Sequence, residues 1–106
     1  MSIEKNRLKN LRELNGFSQS QVSDYLEIDQ SYLSKIENGE RKLTLSLINK
    51  LSNLYNCSHE YLLGEDDFYK QPNISFKSKD KVDLNAISKM NEVKKYLELL
   101  RSIGVD

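Results

Sequence analysis

Residues 18–39, SQSQVSDYLEIDQSYLSKIENG, restrict the fold of this chain more than any other stretch. Two short apolar patterns, Val22 with Leu26 and Leu33 with Ile36, are separated by Glu27-Ile28-Asp29. Isolated helices this short are marginal in water. They must therefore be held against each other and against a larger body. Ser18 is an N-cap residue, Gln21 completes a capping box, and Phe17 with Val22 forms a hydrophobic staple, so a helix runs from Gln19 to Leu26. Asp29 is placed to cap a second helix over Gln30 to Asn38, and Gly39 stops it in the left-handed conformation. Ser23 is small where the second helix must cross the first. Glu27 falls where the turn favours positive φ, at a cost of about 1 kcal/mol for a non-glycine residue.

The surrounding pattern supplies the body. Ile3, Leu8, Leu11 and Leu14 lie near helical spacing, with Lys5, Arg7, Lys9 and Arg12 on the other faces and Gly16 as terminator. Thr44 opens a helix to about Tyr55 that turns Leu47, Ile48, Leu51 and Leu54 inward, and Ser58 opens a short one that Gly64 closes. Val22, Leu26, Ile28, Leu33 and Ile36 supply a shared core for the two central helices. Such a pair joined by a short turn is the helix-turn-helix unit.

After Gly64 the texture changes. EDDFYKQPNISFKSKDK contains an acidic run and the only proline, and reads as a linker with a short extended piece at Ile74 and Phe76. From Asp83 periodicity returns. Ala86, Met90, Val93, Leu97 and Leu100 step by four, three, four and three, a heptad seam. Ile87, Tyr96, Leu99 and Ile103 widen its apolar face. The expected organisation is residues 1–64 as the helical domain, 65–82 as linker and 83–106 as a C-terminal helix.

The 106 residues carry 16 basic and 16 acidic side chains. Residues 1–64 hold eight of each sign. No global basic field exists, so anion binding must come from local clustering. A lone cysteine, Cys57, suits a reducing compartment. The N-terminus has no signal-peptide h-region, and no apolar run reaches membrane-spanning length; the expected location is the cytoplasm. The acceptor-like NIS at 73–75 is then a chance match. One His and one Cys cannot build a zinc site, and EDD at 65–67 lacks the oxygen-rich loop calcium needs. His59 suits a cap or packing role. No nucleophile motif stands out, and no cofactor is implied.

Residues 8–64 resemble the Cro/phage-repressor/Xre family of DNA-binding domains, through LR at 11–12, SQ at 18–19, IENG at 36–39 and S-x-E-Y-L-L-G at 58–64. Departures are Ser23, Glu27 and Leu43, where the family usually has alanine, glycine and proline. The resemblance implies an all-α fold, a five-helix lambda-repressor-like DNA-binding domain, here with an appended C-terminal helix. It implies a sequence-specific transcriptional regulator, a repressor binding an inverted-repeat operator in double-stranded DNA as a homodimer, and no enzyme.

Residue roles follow. A helix fits the major groove, where Gln30, Ser31, Tyr32 and Lys35 would face base edges. Gln19, at a helix N-terminus that favours phosphate, would contact the backbone with Ser34, Asn38, Arg41 and Lys42. Arg12 and Glu37 would form a structural ion pair. Ala86, Met90, Val93, Leu97 and Leu100 would dimerise, with the short fifth helix sharing the interface; the alternative is that the last helix folds back on residues 45–63. The tail also resembles those of small Xre-type regulators found beside ImmA/IrrE-like metallopeptidases or acting as antitoxins. A protein partner, metallopeptidase or toxin, is the corresponding expectation, and the alternative function is a partner-regulating interaction module with a reduced DNA role.

Overall fold

The computed structural model describes residues 6–67, 69 and 83–104. All secondary structure among them is helical: α1 (Arg7–Leu14), α2 (Gln19–Leu26), α3 (Gln30–Glu37), α4 (Leu45–Tyr55), α5 (His59–Leu62) and α6 (Leu84–Ser102). Ile3, the extended piece at Ile74 and Phe76, and the NIS triplet lie outside the described residues.

Hydroxyl caps start α2, α4 and α5. Ser18 Oγ accepts from the Gln21 amide and the Gln21 side chain returns to the Ser18 amide, a complete capping box. Thr44 and Ser58 accept from Leu47 and Tyr61 in the same way. Asp29 has the extended backbone of an N-cap, but its carboxylate makes no capping hydrogen bond.

Helices α1 to α5 are each followed by a left-handed residue: Gly16, Glu27, Gly39, Asn56 and Gly64. After α2, Ile28 N donates to Ser23 O at 3.0 Å and Glu27 N to Asp24 O at 3.1 Å, a Schellman closure. Glu27 adopts φ 60°, ψ 43°, so the helix-turn-helix turn keeps its shape without glycine.

One core joins the elements. Leu8, Leu11, Val22, Leu26, Leu33, Ile36, Ile48, Leu51, Leu54 and Leu62 are buried in it, with Ile28 packed at its edge. Phe17 stacks on Tyr55 at 6.4 Å between ring centroids. The inward stripe of α1 is Leu8, Leu11 and then buried Asn15; Leu14, expected inward, is 44% exposed. Asn15 takes the inward place because its Nδ2 can donate to Leu11 O (2.8 Å) and to the Tyr69 hydroxyl (3.2 Å).

Arg7 does not decorate an outer face. Its guanidinium lies 4.1 Å over the Tyr61 ring and donates to Tyr61 O and Asp66 O. Tyr69 stacks on Tyr61 and donates to Tyr55 O at 2.8 Å. The chain leaving α5 is thus tied to the body at Asp66 and Tyr69, within the stretch expected to be a linker, while residues 65–67 stay exposed.

Helix α6 folds back, on α4 and α2. It does so through Leu84, Ile87, Ser88, Asn91 and Lys95, a face mostly polar in its middle. Its heptad stripe points the other way: Met90, Val93 and Leu97 are each about half exposed and Ala86 is exposed, while Leu100 is intermediate.

Because Glu27 holds a conformation that suits glycine, Glu27→Gly is expected to stabilise the chain by about 1 kcal/mol. A thermal melt reads this as a transition raised by several degrees. The side chain's ion pair with Lys50 at 3.7 Å is exposed and contributes little against that gain.

Candidate nucleic-acid interface

Helix α3 presents two different sides. Leu33, Ile36 and Glu37 are buried against the body. Gln30, Ser31, Tyr32 and Lys35 are exposed, and Ser34 is half-buried beside them. The polar first turn results from the helix phase: 33, 36 and 37 take the inward positions, which leaves 30 to 32 and 35 outside. Asn38, Arg41 and Lys42, directly after the helix, are exposed as well. A helix with its side chains is about 10–12 Å across, which matches the roughly 12 Å width of the B-DNA major groove.

Glu37 organises this surface from below. Its carboxylate is almost completely buried, with a side-chain exposure of 3%. Arg12 in α1 meets it with two donors, Nε to Oε2 at 2.9 Å and Nη2 to Oε1 at 3.3 Å. The same guanidinium donates to Phe17 O at 3.1 Å, tying down the entry to α2. Gln19 Nε2 donates to Glu37 Oε1 at 3.0 Å, and Gln19 Oε1 accepts from Gln30 Nε2 at 3.4 Å. One chain of contacts therefore runs from Arg12 through Glu37 and Gln19 to Gln30. It links α1, α2 and α3, and it fixes Gln19 at the first turn of α2, where free amide groups favour an anion.

Gln30, Ser31, Tyr32 and Lys35, expected from the sequence to face bases, thus share one exposed edge, with Gln19 joined to it by a hydrogen bond. Sequence reasoning did not find the Gln19–Glu37 and Gln19–Gln30 contacts. No spacing rule signals a bond between an amide side chain and a carboxylate 18 residues away.

Cys57 is buried, and burial pushes its thiol up to about 12, far from the range of a nucleophilic thiolate. Burial likewise raises the phenols of Tyr25, Tyr55 and Tyr69 above the ordinary value. No group of His, Cys, Asp and Glu among the described residues could hold a metal ion. No described helix is long and apolar enough to cross a membrane.

Removing one partner of a buried ion pair strands the other. Glu37→Ala should therefore cost about 3 kcal/mol in urea unfolding, whereas a change at exposed Ser31 should be nearly neutral.

A helix-turn-helix family model matches residues 8–62, about half of the chain. Over 71 residues the chain is 41% identical to the HTH-type transcriptional regulator ImmR of Bacillus subtilis (strain 168), covering 67% of this chain and 55% of that protein. It is 37% identical over 57 residues to YonR, an SPbeta prophage-derived HTH-type transcriptional regulator of the same organism, covering 54% of this chain and 53% of YonR. It is 33% identical over 61 residues to the HTH-type transcriptional regulator RamB of Mycobacterium tuberculosis (strain CDC 1551 / Oshkosh), covering 58% of this chain and 13% of RamB. The chain thus spans about half the length of ImmR and YonR and a small part of RamB. With that match laid over helices α2 and α3 and their shared core, the chain belongs to the Xre/Cro-type helix-turn-helix family.

Proposed function

We propose that this chain is a sequence-specific DNA-binding transcriptional regulator, acting as a repressor on an inverted-repeat operator. The observation that carries the reading is the exposed edge of Gln30, Ser31, Tyr32 and Lys35 on a helix whose other side is locked to the body through Leu33, Ile36 and Glu37. Placed in the major groove, Gln30 can pair bidentately with adenine and Lys35 can donate to guanine; each good bidentate contact supplies about 1–3 kcal/mol of discrimination. Ser31 adds an adaptable donor and acceptor. Tyr32 reaches a thymine methyl or a phosphate. Gln19, Ser34, Asn38, Arg41 and Lys42 contact the backbone and set the register. No chemistry is needed, since occupying the operator is enough to exclude polymerase.

A single module of this size covers too little DNA for a tight complex, and two copies on half-sites one helical turn apart solve this. The stripe of Ala86, Met90, Val93, Leu97 and Leu100 is the dimer surface. Its heptad spacing is self-complementary, as a two-fold interface requires, and it extends roughly 20 Å along α6 at 1.5 Å per residue. Tyr96, Leu99 and Ile103 on the same helix are exposed and broaden it. The balanced charge of the N-terminal half favours a second reading, a partner-regulating module such as an antitoxin. In that reading the stripe would receive a different protein.

Two experiments test these assignments. In fluorescence-anisotropy titrations, the chain should select one duplex sequence with an affinity that falls steeply as salt rises. Ser31→Ala with Lys35→Ala should relax base preference at specific positions; an unchanged preference removes these residues as readers. Val93→Asp with Leu97→Asp should give a folded monomer in sedimentation, because both side chains are exposed and carry none of the core. Truncating α6 would be a poorer test, since it also uncovers the surface beneath Leu84 and Asn91.

A further inference from the structure

Helix α6 is attached to the body unlike an ordinary amphipathic helix. A surface helix usually turns its apolar side inward. Here the apolar stripe faces out and a polar row faces in. Asn91 Nδ2 donates to Asn53 O at 2.8 Å and to Leu54 O at 3.2 Å. Lys95 Nζ donates to Ser52 O at 2.9 Å and to Cys57 O at 2.8 Å. These carbonyls belong to the last turn of α4 and the loop just after it. The final carbonyls of a helix have no partner within it, and they favour a cation; Ser52 O also accepts from the Cys57 amide at 3.0 Å, so Lys95 adds a further donor there. Two side chains of α6 therefore act together as the C-terminal cap of α4. One turn earlier, the Tyr25 hydroxyl donates to Lys50 O at 2.9 Å and shares a 2.6 Å hydrogen bond with Ser88. Tyr25 belongs to α2, so this contact joins α6 directly to the helix-turn-helix unit.

Apolar burial is non-directional and would let a docked helix slide or roll. Hydrogen bonds to four identified carbonyls do not. They fix the position of α6 along its axis and its rotation about it, and so fix where the outward stripe points relative to α3.

We propose that Asn91 and Lys95 are spacing-determining residues: by locking α6 onto the end of α4, they set the separation and orientation of the two recognition helices in the dimer, and hence the half-site spacing the protein accepts. The proposal rests on the dimer reading above and adds to it. The stripe decides whether two copies meet; the polar row decides how far apart their α3 helices then stand. Neither residue touches DNA in this account. Their effect reaches the operator only through the geometry of the pair.

The test uses the full chain and the tightest duplex recovered from a random-sequence selection, together with derivatives whose half-sites are moved apart or together by about two base pairs, roughly a fifth of a helical turn. The native protein should prefer its own spacing by about tenfold or more in dissociation constant, as a rigid pair requires. Lys95→Met keeps the stem and removes the ammonium; Asn91→Ala removes the amide. Both variants should remain dimeric in sedimentation and keep their base preference, while the spacing preference falls to within about threefold, since a loosened pair no longer enforces one separation. Lys95→Met alone keeps the test open if Asn91→Ala fails to fold, because Lys95 is half-buried and its stem packing is retained. If folded, dimeric Lys95→Met keeps the native spacing profile, the proposal is overturned. If the native chain is monomeric on its selected duplex, the dimer reading and this proposal fall together.

Discussion

The carboxylate of Glu37 is the point on which the rest of the structure depends. It is a buried charge, and a buried charge is tolerated only with partners that satisfy it. Arg12 supplies two donors from α1 and Gln19 a third from α2. Three helices are thereby held in one arrangement. The ion pair adds little net stability over an apolar alternative, because desolvating both ions offsets their attraction. What it contributes is specificity of arrangement. With the first turn of α2 and the first turn of α3 both referred to the same carboxylate, Gln19 and Gln30 present their amides at a defined place on the surface.

A second polar device, at the other end of the molecule, has the same logic. The last turn of α4 leaves the Asn53 and Leu54 carbonyls to Asn91 of α6, Lys95 adds a donor at Ser52 O and Cys57 O, and Tyr69 donates to Tyr55 O. The apolar core holds the body together, and these directional contacts decide how its parts are aligned. Without a general basic field, the proposed DNA recognition would come from a few positioned side chains rather than from bulk attraction to phosphate.

How much of this could be read from the amino-acid order divides along the range of the interactions. Local signals carried well. Ser18 with Gln21, Thr44 and Ser58 start helices as cap chemistry dictates, and the closures at Gly16, Gly39 and Gly64 follow from the steric freedom of glycine at positive φ. Glu27 was legible as a strained position for the same reason. The phase of α3, and with it the exposed edge, followed from Leu33 and Ile36. Long-range polar contacts were not legible. Arg7 reaches across 54 residues to Tyr61 O, and Tyr25 across 63 to Ser88; no periodicity records either. In α6 the pattern drew attention to the wrong side for docking. Heptad spacing marks the apolar stripe, while the helix seats through Ser88, Asn91 and Lys95, residues that on composition alone belong to solvent. Leu14 shows the same limit: a leucine near the right spacing lost its inward place to Asn15, which had backbone and tyrosine partners to satisfy it.

In the proposed reading the front of α3 enters the major groove. Amide chemical-shift mapping of the isotopically labelled full chain, titrated with its selected duplex, addresses this most directly. The largest perturbations are expected at residues 30–35, with a second set at Gln19, Asn38, Arg41 and Lys42. Perturbations confined to α6, with residues 30–35 unmoved at saturation, would contradict it.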